Sequence, residues 1–164
     1  MKPQTHVCRL YVMCGPAGSG KSTWAKKHLD NLYTEYISRD EVRMSLITDN
    51  DHYFSKEKEV FREFINRIQR AINDEGIDVI VDATHLDVWS RRKLTNALDD
   101  ALTRPWEIYY IVMDTPYEEC CRRNDNRTGR ANVPHNVIKE MCDKMTYPKM
   151  SEHPNIKGIW IVKE

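Results

Sequence analysis

Five short apolar, β-branched runs punctuate the chain, at residues 8–13, 35–37, 77–81, 106–113 and 158–162, and longer amphipathic stretches separate them. Strands alternating with helices need crossover connections, which give a parallel sheet covered on both faces. Several of the runs are almost wholly apolar, as strands buried on both sides must be. The pattern therefore predicts an α/β fold, a five-stranded parallel sheet with helices on both faces.

The helices are readable from spacing. After Ser55, a plausible N-cap, residues 56–75 set Val60, Phe61, Phe64, Ile65, Ile68 and Ile72 near helical period, and Gly76 is a natural stop. Residues 87–102 repeat the pattern with Val88, Leu94, Leu98 and Leu102. Pro134 suits a first helical turn and opens a helix over 135–147, with Val137, Ile138 and Met141 on one face and Pro148 ending it. No repeat, linker or low-complexity tract interrupts the series, and 164 residues is the size of one ordinary domain, expected to span 1–164.

Composition narrows the picture. Hydrophobic residues make up 40% and charged residues 30%, and no stretch approaches the roughly 20 apolar residues of a membrane span. The first nine residues lack the apolar core of a signal peptide, so a cytoplasmic location with no membrane contact is expected. Cys8, Cys14, Cys120, Cys121 and Cys142 form an odd set without metal-ligand spacing, which points to free thiols. A net charge of +0 gives no general attraction to a polyanion, so any such site must be local.

One segment carries most of the chemistry. Gly15, Pro16, Ala17, Gly18, Ser19, Gly20, Lys21 and Ser22 fit G-x-x-x-x-G-K-[ST] without mismatch, directly after an apolar strand. Glycines let successive N–H groups point into one concavity, and the helix beginning near Lys21 adds its positive end. Lys21 is placed to neutralise β and γ phosphates and the Ser22 hydroxyl to ligate Mg2+, so ATP is the expected phosphate donor. Such a loop also serves switches and motors; the size argues against a motor, and no guanine-recognition N-K-x-D motif is present.

On the acceptor side, Ser38-Arg39-Asp40-Glu41-Val42-Arg43 follows the second strand, on the rim that a parallel sheet shares with the phosphate loop. Asp40 is the candidate general base for an attacking hydroxyl; the alternative is that it caps a helix starting at Glu41. Arg43, one turn on, can clasp an acceptor anion or form a surface salt bridge with Asp40 or Glu41. The third strand runs into Asp82-Ala83-Thr84-His85, where Asp82 is a candidate to orient the metal shell and Thr84 and His85 overhang the same cleft. Residues 122–130 hold four arginines among polar and turn-forming residues, which reads as a lid closing over ATP or as a solvated loop. Arg123 and Arg127 are spaced to share a helical face.

Together these elements resemble the polynucleotide kinase family of small P-loop kinases, most closely the kinase module of phage and bacterial 5′-hydroxyl polynucleotide kinases. The similarity covers nearly the whole chain: the loop through Thr23-Trp24-Ala25, the R-D-x-x-R element ending at Arg43, Asp82-Ala83-Thr84-His85-Leu86 with Arg91-Arg92, and Arg123-Asn124 with Arg127 leading to Val133-Pro134. The resemblance implies that the loop through Thr23, with Arg123 and Arg127, binds ATP. It also implies that Lys21, Asp40 and Arg123 are catalytic, that Arg43, Thr84 and His85 meet the acceptor, and that Ser22 and Asp82 serve magnesium. His85 stands where such kinases usually carry asparagine. No D-x-D-G phosphatase motif follows.

The expected function is transfer of the γ-phosphate of ATP to a 5′-hydroxyl end of DNA or RNA. The alternatives are a hydroxymethylated base in DNA, a small nucleoside, sugar or antibiotic hydroxyl, or an ATP-binding regulator that transfers nothing.

Overall fold

A computed structural model describes residues 6–29 and 31–163. Five strands, β1 (Cys8–Cys14), β2 (Thr34–Ser38), β3 (Asp78–Asp82), β4 (Trp106–Asp114) and β5 (Ile156–Lys163), form one sheet in the order β2-β3-β1-β4-β5. Every pairing is parallel. Chain order reverses at β1, which puts the loop after it at the crevice where such sheets hold ligands.

Period two along β1 divides the core. Cys8, Leu10, Val12 and Cys14 face one side, where α3 (Glu57–Gln69) and α4 (Val88–Ala101) cover them with Val60, Phe64, Ile68, Leu94 and Leu98. Met13 faces the other side with Ile80, Ile111 and Met113, under Trp24 and Ala25 of α1 (Lys21–His28). Helices thus lie on both faces, as the pattern predicts.

The ends of the helices are where spacing and structure part. The segment predicted over 56–75 is α3 followed by a wider π-helical turn, Arg70–Asp74, and Ser55 does not cap it; Lys56 holds that position without a side-chain cap bond. Asp87 caps α4 in a reciprocal box with Ser90. α2 (Arg39–Leu46) begins earlier than expected because the Ser38 hydroxyl accepts from the Glu41 N–H, so Ser38, not Asp40, is its cap. α6 (His135–Lys144) stops short of residue 147, because the Thr146 N–H turns to the Leu86 carbonyl.

The expected lid is divided. Arg122 and Arg123 lie within α5 (Tyr117–Asp125), anchored by a small apolar cluster of Cys120, Cys121 and Ile138. Only the stretch from Asn126 to Val133, with a short 3-10 turn at Gly129–Ala131, is loop. All five cysteines are free thiols, four of them buried. Among the described residues, no helix is long and apolar enough to cross a membrane.

Candidate active site

Three strands end at one level and so build one rim. Asp82 is in register with Met13 of β1 and with Ser38 of β2, and the Gly15 N–H donates to the Thr84 carbonyl at 2.9 Å, tying the phosphate loop to the segment after β3. The expected loop, the Asp40 helix and Asp82 therefore share an edge.

The loop is shaped by backbone and neighbours. Gly20, at φ 93°, turns the chain into α1 in the left-handed region open to glycine, and a Cβ there would meet the Arg123 guanidinium at 2.6 Å. Gly18, at φ 80°, lies under α5, where a Cβ would sit 2.3 Å from the Cys120 carbonyl oxygen. The Ser19 carbonyl accepts from Thr115 Oγ1 at 2.9 Å and from Arg123 at 3.1 Å, while its own hydroxyl is buried without a hydrogen-bond partner. Pro16 brings no N–H, and the Ala17 N–H faces Met141 Sδ.

Lys21 Nζ spans the loop, donating to the carbonyls of Gly15 and Pro16, both at 2.9 Å, which leaves one of its three protons to point elsewhere. Burial pulls its pKa down, while the charges of Asp82 and Asp40 hold it up. Both carboxylates are thus within electrostatic reach of the ammonium. Arg127 is exposed beyond α5, yet its charge also acts on Lys21 from the lid side. Because α5 ends at Asp125, Arg123 and Arg127 do not share a helical face, contrary to their spacing.

Ser22 Oγ donates to Asp82 Oδ2 at 2.6 Å, and the Tyr36 hydroxyl donates to the same oxygen. Burial first, and then the Asp82 charge, push the Tyr36 pKa up, so the phenol keeps its proton. A hydroxyl beside a carboxylate at the start of α1 fits a hard divalent ion that keeps most of its waters. Among the described residues, no group of three His, Cys, Asp or Glu side chains forms a dedicated metal cage.

The acceptor side holds the largest differences from expectation. Arg43 is not on the surface: it is buried, its fork spread on Glu57 (Nε to Oε1 2.6 Å, Nη2 to Oε2 3.1 Å), with Nη1 on Asp40 at 2.5 Å. Burial lowers the guanidinium's pKa, but the Glu57 hydrogen bond and charge more than offset this and leave it raised. Asp40 itself is 76% exposed and also accepts from the Tyr53 hydroxyl at 3.2 Å. Its carboxylate is oriented by Arg43 of α2 and by Tyr53 in the turn before α3, yet open to a ligand.

His85, expected to meet the acceptor, is 6% exposed, and its Nδ1 lies 2.7 Å from the Met13 carbonyl. Burial drives its pKa down to about 4, so at neutral pH the ring is uncharged and its Nδ1–H donates to that carbonyl. Its backbone takes a positive φ of 43°, and Arg91, buried against Glu152, donates to the His85 carbonyl at 3.1 Å. His85 is a strut beneath the loop. Thr84 contributes the carbonyl that receives the Gly15 N–H.

Sequence reasoning missed Tyr36, Glu57 and Tyr53, and it placed Arg130 in the lid without its partners. Tyr36 precedes Ser38 by two along β2 and so shares its side of the strand, a signal that period two offers. Glu57 stands in the first turn of α3 and nothing in its surroundings in sequence marks it. Arg130 donates to the carbonyls of Asp49 and Asp51 at 3.0 and 2.9 Å, pinning the lid loop to the loop after α2.

A family model described as an AAA domain matches residues 10–148, and the chain belongs to that family. The chain has the fold of the small P-loop kinases among its solved structural neighbours. It is 28% identical to a protein of Autographa californica nuclear polyhedrosis virus named "Putative bifunctional polynucleotide kinase/RNA ligase", over 83% of this chain and 20% of the viral one. The chain thus spans about a fifth of that relative's length. Among solved structures it is similar to a chain of the Pnkp1/Rnl/Hen1 RNA repair complex, with a TM-score of 0.69 and 24% identity over 85% of this chain and 44% of that one. It also shares its fold with a sugar kinase from Janibacter sp. HTCC2649, with a TM-score of 0.63 and 17% identity over 96% of this chain and 86% of the other.

Proposed function

We propose that the chain is an ATP-dependent kinase that carries the γ-phosphoryl group to the 5′-hydroxyl end of DNA or RNA, acting as a single domain over 1–164. The observation that carries the reading is one rim, set by the register of β1, β2 and β3, that brings together a glycine-turned loop, its lysine and the exposed Asp40 carboxylate oriented by Arg43. The named polynucleotide kinase relative supports the acceptor.

In this reading the loop N–H groups and the start of α1 hold the triphosphate, and Lys21 offsets charge on its β and γ phosphates. Ser22 and Asp82 would hold magnesium and its water shell, and the ion would supply positive charge to the phosphates. Asp40 takes the proton of the attacking hydroxyl as its oxygen bonds to the γ phosphorus. The bond from that phosphorus to the β–γ bridging oxygen breaks in line, and ADP leaves. Arg123 and Arg127 spread charge away from the transferring group. Arg43 orients Asp40 from behind while Glu57 holds it.

Incubation with γ-labelled ATP and a panel of 5′-hydroxyl DNA, 5′-hydroxyl RNA, modified-base DNA and nucleosides tests this. The expected result is label on 5′-hydroxyl strands, none on strands already 5′-phosphorylated, and turnover that falls with added salt. A small hydroxylated acceptor is the second reading, supported by the fold shared with a sugar kinase and by neutral overall charge. Label confined to nucleosides or sugars, insensitive to salt, favours it over the first.

A further inference from the structure

We infer that a single nucleic-acid strand held at Asp40 runs from there across a row of rings and cations on α2, α3 and α4 that ends at Trp89. This deepens the polynucleotide reading above and rests on it. Trp89 is 70% exposed in the first turn of α4, and Phe54 is 60% exposed in the segment between α2 and α3. Exposed rings gathered with cations beside a candidate site mark an interaction surface.

The two are ends of one chain of contacts, exposed at its rings and anchored by the buried Arg43. Phe54 meets Tyr53 edge-on with centroids 4.8 Å apart, and the Arg43 guanidinium lies 4.8 Å from the Tyr53 ring and 5.3 Å from that of Phe54. Glu57 joins Arg43 to Arg39, whose guanidinium lies 5.4 Å from the Phe61 ring. Lys93 Nζ completes the row, 4.3 Å from Phe61 and 5.6 Å from Trp89. Three cations stand against the two carboxylates of Glu57 and Asp40, so the row is cationic although the whole chain is neutral.

Alternating rings and cations match a single strand, which offers base faces for stacking and phosphates for charge. α4 starts just after the Asp82 rim, so the row departs from the transfer site, and unlike a base-paired surface it asks for unstacked bases.

The test uses the full chain as wild type, Trp89→Ala, Trp89→Phe and Lys93→Gln. KM and kcat are measured on 5′-hydroxyl strands from a dinucleotide to about 12 nucleotides, the scale of a stacking groove. Fluorescence anisotropy with a labelled, 5′-phosphorylated strand of the longer length reads binding without transfer. Wild-type KM should fall with length. Trp89→Ala should raise KM for the long strand roughly tenfold, leave kcat and the dinucleotide KM within about twofold, and be rescued by Trp89→Phe. Lys93→Gln should reduce the salt slope of binding by about one. Wild-type KM and affinity in Trp89→Ala at every length overturn the proposal. Should the wild type phosphorylate no strand, the acceptor reading falls and anisotropy alone decides. Strand binding lost in Trp89→Ala upholds the row, and strand binding absent from wild type or unchanged in the variant overturns it.

Discussion

The phosphate loop and the acceptor rim sit on the same edge of one sheet but are built by opposite means. The loop is set by backbone: glycine torsions, carbonyls that grip Lys21, and neighbours that leave no room for a Cβ. The rim is set by side-chain charge, with Glu57 holding Arg43 and Arg43 holding Asp40. A backbone-built site keeps its shape through most side-chain changes, whereas a charge-built one depends on each partner. The first suits a common donor and the second a particular acceptor.

Asp40→Asn breaks this division most sharply, because it removes the proposed base while leaving the loop alone. Transfer should fall about a hundred- to ten-thousandfold, with ATP affinity unchanged by calorimetry. Transfer at the wild-type rate in this variant would sink the base assignment. Lys21→Ala attacks the other half: turnover should drop on the order of a hundred- to a thousandfold, and here nucleotide affinity should weaken as well.

Beneath the loop, His85 gives a pH test. Its folded pKa of about 4 lies below the ordinary 6.5, so the unfolded chain binds the extra proton between the two values. Its contribution, about 3 kcal/mol, is therefore fully present above roughly pH 6.5 and is lost as pH falls toward 4. Denaturant unfolding should show this loss in wild type and a shallower one in His85→Asn, since asparagine tolerates the same positive φ. Equal slopes would remove the strut reading. The smallest effect expected is that of Glu57→Gln, which leaves Arg43 buried with Asp40 as its remaining carboxylate partner. A stability loss of about 2 kcal/mol and a reduced kcat are expected, against no change in ATP affinity.

The same contrast explains what the sequence reveals. Strands, their parallel order and the phosphate loop are legible because local pattern decides them: period two buries Leu10 and Val12 together, and glycines announce the turns. The acceptor side is less so, because partners there come from distant elements. Arg43 and Glu57 are 14 residues apart and meet only because α2 packs on α3. α5 escapes pattern reading because its inward face is made of Cys120, Cys121 and Asn124 rather than branched aliphatics. Ser38 displaces Asp40 as cap by two residues, a shift within the usual uncertainty of helix ends.

Gly18 occupies one of the four positions that the G-x-x-x-x-G-K-[ST] pattern leaves open, yet here it is as constrained as the two that the pattern names. The demand comes from its left-handed backbone and from the α5 carbonyl lying over it. Motif freedom at that position is therefore a property of the surrounding architecture. A protein sharing this loop can carry a side chain there only if the loop relaxes its left-handed turn and the fifth helix stands farther off, so that one residue reports on turn and stacking together.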